Sequence, residues 1–195
     1  MRNFALAKFR SMVIKMTYHI ALDIETTSLY ADEGMITCYA VIGEDNIVLA
    51  NVIKDVDEEK KLLRQMLRDL VSLNVRHPTS KIITYNGHSF DYPMIITRLL
   101  NLKLLPELAV FKKNFDKKGK HIDLYWVVRN NFLLKSRKLT DVCRYIGIEY
   151  EKGKDSIELW ENRETGTLKR QCINDARVLH MLRKKFVELN IMERR

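Results

Sequence analysis

Cysteine is scarce in this 195-residue chain. Cys38, Cys143 and Cys172 are too few and too scattered for a disulfide framework, so they read as reduced core thiols with no disulfide partner. No run approaches the roughly 18 uninterrupted apolar residues of a membrane span, and the N-terminus lacks the apolar core of a signal peptide. The expectation is a soluble, cytoplasmic protein with no membrane partner. Internal repeats and low-complexity tracts are absent as well, which excludes solenoids and compositionally biased linkers. Acids are missing from residues 1–15, where Arg2, Lys8, Arg10 and Lys15 all stand. Two readings of this basic N-terminal extension, residues 1–16, stay open: a loose or mis-assigned start, with Met12 or Met16 as the true first residue, and a functional basic arm.

What is present is the mixture of one globular domain, 46% hydrophobic and 30% charged. A chain of this length buries a full core without staples. Thirty-four Lys plus Arg against 25 Asp plus Glu give a net charge of +9, which makes a polyanion the first partner to consider, although charge alone names none.

From Thr17 the pattern alternates strands and helices. Tyr18, Ile20, Leu22 and Ile24 alternate with His19, Ala21, Asp23 and Glu25, the period of a strand. Residues 35–42 and 47–53 read as two more strands joined by a tight turn through Gly43 to Asn46. Leu62, Leu63, Met66, Leu67, Leu70 and Leu73 stripe a helix over 57–73 with acids in its first turn. Ile82 and Ile83 mark a short buried strand, Asn86 and Gly87 a turn, and Pro93 the first turn of a helix from Tyr92. Residues 111–120, rich in lysine, read as a loop facing an acidic ligand or a solvated hairpin. A strand at 121–124, helices at 125–132 and 139–146, the latter capped by Gly147, and a long helix at 168–189 complete the chain. The expected fold is α/β, a mixed central β-sheet flanked by helices, with sites gathered at strand ends.

Three features carry chemistry. Asp23 and Glu25 stand two apart on a strand, so both carboxylates look to one face with Cα atoms about 6.6 Å apart. Their repulsion needs a cation, and a divalent metal held by hard oxygen ligands is one answer. Asp91 precedes the Pro93 helix, where it is either an N-cap or a ligand. Asp175 is the only charged residue on a seam of Leu168, Cys172, Leu179, Leu182, Phe186 and Leu189, and a carboxylate there costs several kcal/mol unless it is paired, hydrogen-bonded or metal-bound. Together these four acids would suit two Mg²⁺ or Mn²⁺ ions and phosphoryl chemistry.

At these residues the chain resembles the DEDD superfamily of 3′→5′ exonucleases, most closely stand-alone relatives of the proofreading domain of family B DNA polymerases. ALDIETTSL (21–29) resembles the first exonuclease motif, ITYNGHSFDYPMI (83–95) the second, and CINDARVL (172–179) the third. HIDLYWVVRNNFLLKSRKLTDVCRYIGI (121–148) resembles the segment linking the last two. The resemblance implies a ribonuclease H-like fold, residues 17–195 as a single exonuclease domain, and two metals held by Asp23, Glu25, Asp91 and Asp175. It also implies removal of nucleotides from a 3′ end, and it departs from the pattern in one place. The third motif normally carries Tyr four residues before its Asp, or His five before; here stand Gln171 and Arg170. Gln171 can orient a water but cannot act as a base near neutral pH. His180 points roughly 140° away around the helix, and Tyr145, Tyr150 and His88 are substitutes the sequence does not place.

The further expectations are that Asp123 N-caps the following helix rather than binding metal, and that Asn86 and Phe90 hold the terminal nucleotide in a slot lined by Thr26, Thr27 and Leu29, with core packing the equal alternative for Phe90. Lys112, Lys113, Lys117, Lys118, Lys135, Arg137 and Lys138 are either contacts to the nucleic-acid backbone or merely solvated surface. The leading function is a two-metal exonuclease on 3′ ends of single-stranded DNA, with RNA open. The alternatives are a catalytically weakened nucleic-acid-binding module, and an accessory subunit docking on polymerase, helicase or other replication and repair proteins through the N-terminal arm.

Overall fold

The computed structural model describes residues 17–192. The basic extension at 1–16 lies outside the described residues. Five strands form one sheet in the order β3-β2-β1-β4-β5. β1 (His19–Thr26), β2 (Ile36–Gly43) and β3 (Val48–Val52) run as an antiparallel meander, and β4 (Lys81–Thr84) and β5 (His121–Asp123) add on parallel to β1. The sheet is therefore mixed, as the alternation of hairpin and strand–helix–strand segments requires.

The helices among the described residues are α1 (Glu59–Arg76), α2 (Asp91–Asn101), α3 (Leu105–Asn114), α4 (Leu124–Asn131), α5 (Leu139–Ile146), α6 (Ser156–Glu161) and α7 (Thr165–Glu188). Strand alternation sorts β1 between two cores. Ile20, Leu22 and Ile24 pack with the leucine stripe of α1 and with α2 and α3. Ala21 faces the other way, with Cys38, Ala40 and the apolar seam of α7. Asp23 and Glu25 follow Ala21 at steps of two, so the strand's period sends both toward α7. All three cysteines are buried free thiols, and among the described residues no helix is long and apolar enough to cross a membrane.

Two expected features change. Residues 111–114 are the last turn of α3, not loop or hairpin. Pro106 near the helix start and Glu107 in its first turn are its N-terminal signal, and only residues 115–120 form the turn back to β5. The last helix starts at Thr165, and Leu189, its C-cap, is 48% exposed rather than part of the seam. α6 is too short for a periodic signal and is marked by Asp155, whose carboxylate caps the backbone N–H groups of Ile157 and Glu158.

A buried ion pair ties the frame around the sheet edge. Glu59, 2% exposed, accepts from the Ile36 backbone N–H at 2.9 Å and from Arg98 Nε at 2.9 Å, while Arg98 Nη1 donates to the Ala31 carbonyl at 2.8 Å. α1, β2, the loop after β1 and α2 meet there. Arg98→Ala would leave Glu59 as an uncompensated buried charge, and the expected cost is about 3–5 kcal/mol, measured by urea denaturation. A loss under about 1 kcal/mol, the size of an exposed pair, would contradict this account.

Candidate active site

The end of β1 and the middle of α7 bring three carboxylates together. One oxygen each from Asp23, Glu25 and Asp175 lie within 4.8 Å of one another. The approach depends on small side chains beneath α7: Ala21, Cys38 and Ala40. Cys172, one turn before Asp175, donates its thiol proton to the Asp23 carbonyl at 3.5 Å. Pairing between β1 and β2 shifts register between Glu25 and Thr26, so the strand bends just past its second acid.

Asp91 comes from the opposite side as the first residue of α2, 5% exposed. The capping position belongs to Phe90, which makes no side-chain capping bond, so Asp91 is not an N-cap. It stands outside the 4.8 Å set but close enough for its charge to act on Asp23 and for that of Glu25 to act on it.

Asp123 fixes the loop that carries Asp91. Its carboxylate accepts from the backbone N–H groups of Asn86 at 2.7 Å, His88 at 3.0 Å and Tyr125 at 3.0 Å. It thus caps α4 and clamps the loop after β4 at once. Asn86 takes the left-handed conformation, φ 66°, which Asn tolerates better than most residues. Gly87 is required by proximity, since a Cβ there would lie 2.1 Å from Thr84 Oγ1, itself bonded to His121 Nε2 at 2.7 Å.

The acids are electrostatically unsatisfied. Burial, then the charges of Glu25, Asp175 and Asp91, push Asp23 well above the usual carboxylate range. Burial and the Asp175 charge push Glu25 up to about 7, while Ser156, Lys152 and Gln171 pull the other way. Burial raises Asp91 to about 7, helped by the charges of Asp123 and Glu25 and opposed by nearby backbone N–H groups. Asp175 is raised to about 6 by burial, against the Tyr150 hydrogen bond and Lys152.

A cavity of about 730 Å³ opens over the cluster, lined among others by Asp23, Asn86, Arg137, Tyr150, Lys152 and Asp175. Leu29 and Phe90 share a second cavity of about 410 Å³. Thr26 and Thr27 spend their hydroxyls on the loop between β1 and β2: Thr26 donates to the Ser28 carbonyl, and Thr27 accepts from the Met35 N–H. Lys135 is exposed and lines neither cavity. Gln171 packs against Gly153, where an added Cβ would lie 2.0 Å from its Oε1, and stands beside Glu25 rather than lining the larger cavity. His180 bonds the Ile42 carbonyl instead, at 2.9 Å.

Sequence reasoning left Tyr150 unplaced and passed over Lys152, Tyr85 and Tyr125, all on the cavity wall. Tyr150 donates to Asp175 Oδ1 at 2.9 Å, and burial, then the Asp175 charge, raises its pKa. Both Tyr150 and Lys152 sit between helices, where no period marks them.

A family model described as RNase_H_2, of the RNase_H superfamily, matches residues 20–170. A DNA polymerase of Methanocaldococcus jannaschii is 29% identical over 155 residues, an alignment covering 72% of this chain and 9% of the polymerase. The structure of the family B DNA polymerase from the archaeon Pyrobaculum calidifontis superposes with a TM-score of 0.65 at 18% identity, covering 89% of this chain and 24% of that one. The chain spans only a minor part of either relative. The family match over most of the length and the shared fold lead to one assignment: this chain belongs to the RNase_H superfamily.

Proposed function

We propose that this chain is a metal-dependent 3′→5′ exonuclease acting on single-stranded DNA, with RNA as the other candidate substrate. The observation that carries the reading is the convergence of Asp23, Glu25 and Asp175 within 4.8 Å, with Asp91 beside them, under an open cavity. The donors fit hard divalent cations: all are carboxylate oxygens, and burial and mutual repulsion hold their pKa values high. In this reading Asp23, Glu25, Asp91 and Asp175 hold two Mg²⁺ or Mn²⁺ ions. Bound there, the ions supply Lewis acidity toward a water, the scissile phosphate and the leaving 3′ oxygen.

The chain's own side chains account for the rest. Arg137, whose Nε is buried with no partner among the described residues, and Lys152 set positive charge on the cavity wall where a phosphate would lie. Leu29 and Phe90 offer an apolar slot for a terminal base. A terminus must enter these cavities unpaired, which favours single strands. The related polymerases suggest a setting in replication or repair.

A second reading, a nucleic-acid-binding module with weakened catalysis, is favoured by Gln171. It stands where the exonuclease pattern has Tyr, and it packs on Gly153.

Two measurements test this account. An acid whose pKa is higher folded than unfolded binds more protons in the native state, so its contribution to stability falls as pH rises from about 4 to about 7. In metal-free protein, Glu25→Gln, which removes a carboxyl pushed up to about 7, should therefore melt progressively higher than wild type as pH goes from 5 to 8. Millimolar Mn²⁺ at pH 8 should raise the wild-type Tm by several degrees and the variant's much less. A pH-independent difference with no response to Mn²⁺ would remove the metal from the proposal.

Activity is read on 5′- and 3′-labelled single-stranded DNA and RNA with Mg²⁺, Mn²⁺ or EDTA. The expected result is a ladder shortening from the 3′ end, abolished by EDTA and by Asp23→Ala. Intact substrate with a salt-sensitive gel shift would favour the binding module.

A further inference from the structure

Hydrolysis in the larger cavity requires a water held in line with the scissile bond, and a misplacement of about 1 Å costs on the order of a hundredfold in rate. The polar groups near Asp175 differ in what they have free for that task. Gln171 is turned onto Gly153 and Glu25. His88 packs at a tilt against His121 and lies 3.3 Å from Asp123. Tyr145 is 66% exposed with its ring against Phe132. Tyr85 lines the cavity, but its hydroxyl is held on the Arg137 carbonyl at 2.6 Å and bonds none of the four acids.

Tyr150 differs from all of these. Its hydroxyl lies 2.9 Å from Asp175 Oδ1 on the wall that also carries Asp23, Asn86 and Lys152. A phenol has one proton and two lone pairs. The proton is committed to Asp175, and a lone pair remains to accept from a water. The segment is also held at both ends. Gly147, φ 78°, closes α5, with the Ile148 N–H bonded to the Cys143 carbonyl at 2.8 Å. At the other end Gly153 packs on Gln171, and Asp155 caps α6, which buries Leu159.

We propose that Tyr150 positions the attacking water next to Asp175. The proposal rests on the exonuclease reading above. In the step, the water oxygen forms a bond to phosphorus as the bond from phosphorus to the 3′ oxygen breaks. The water's proton leaves to solvent through the open cavity, and the 3′ oxygen takes one from solvent. Tyr150 accepts a hydrogen bond from the water and keeps its own proton on Asp175 throughout.

The test compares wild type, Tyr150→Phe and Asp23→Ala on 5′-labelled single-stranded DNA at saturating Mn²⁺, with Mn²⁺ calorimetry and thermal melting alongside. The phenylalanine variant keeps the packed ring and loses only the hydroxyl. Its kcat should fall about tenfold to a hundredfold, with KM, Mn²⁺ affinity and Tm nearly unchanged. An unchanged kcat would overturn the role of Tyr150 while leaving the exonuclease standing. A fall in kcat that tracks weaker Mn²⁺ binding or a lower Tm would reduce Tyr150 to a support for Asp175, which also overturns the proposal. Wild type that binds DNA and Mn²⁺ without cleaving would remove the exonuclease reading and this role together.

Discussion

The structure is organised around a repulsion. Asp23, Glu25 and Asp175, with Asp91 behind them, concentrate like charge at the end of β1 in partly buried surroundings, and like charges there interact more strongly than in bulk water. Much of the surrounding architecture holds those acids in place. Ala21 and Ala40 let α7 lie close. The Cys172 thiol joins that helix to the Asp23 backbone, and Asp123 gathers three backbone N–H groups to pin the loop before Asp91. The Glu59–Arg98 pair fixes α2 and the loop after β1 to the remaining frame. Each device is local, and their sum is a preorganised set of oxygen donors.

Cations are distributed unevenly across the molecule. At the far end of β1, Glu44 is hydrogen-bonded to His19 and paired with the Arg183 guanidinium, and despite burial these hold its pKa below the ordinary value. Glu59 has Arg98. The site acids have Lys152 alongside, yet their pKa values stay raised. A chain with 34 basic residues against 25 acidic ones had cations to spend on that edge. Leaving it undercompensated supports the reading of a site completed by a metal, since full pairing by arginine or lysine would occupy the same oxygens.

What was legible in the sequence follows from what has a period. β1 declared itself by alternation, and the alternation also sent Asp23 and Glu25 to one face. Asp175 stood out because it interrupts an apolar seam, a signal that depends only on helical spacing. Asp123 was readable as a cap because caps are local, but the loop it also clamps lies 35 or more residues earlier in the chain. α6 has six residues and no stripe. α3 was obscured by a lysine-rich end that reads as loop. The Leu29–Phe90 cavity and the diversion of Thr26 and Thr27 into loop hydrogen bonds are tertiary outcomes, since either threonine fits a slot or a turn equally well by residue type.

Tyr150 makes the same distinction at the level of chemistry. A motif fixes a side chain relative to its neighbour along one helix, so Gln171 four residues before Asp175 reads as a loss. Space near a carboxylate can be reached from more than one element, and the segment between α5 and α6 reaches Asp175 from 25 residues away. Gln171 instead packs against Gly153 in that same segment and stands beside Glu25. A tyrosine at position 171 would contend with Gly153 for space that the smaller amide already fills.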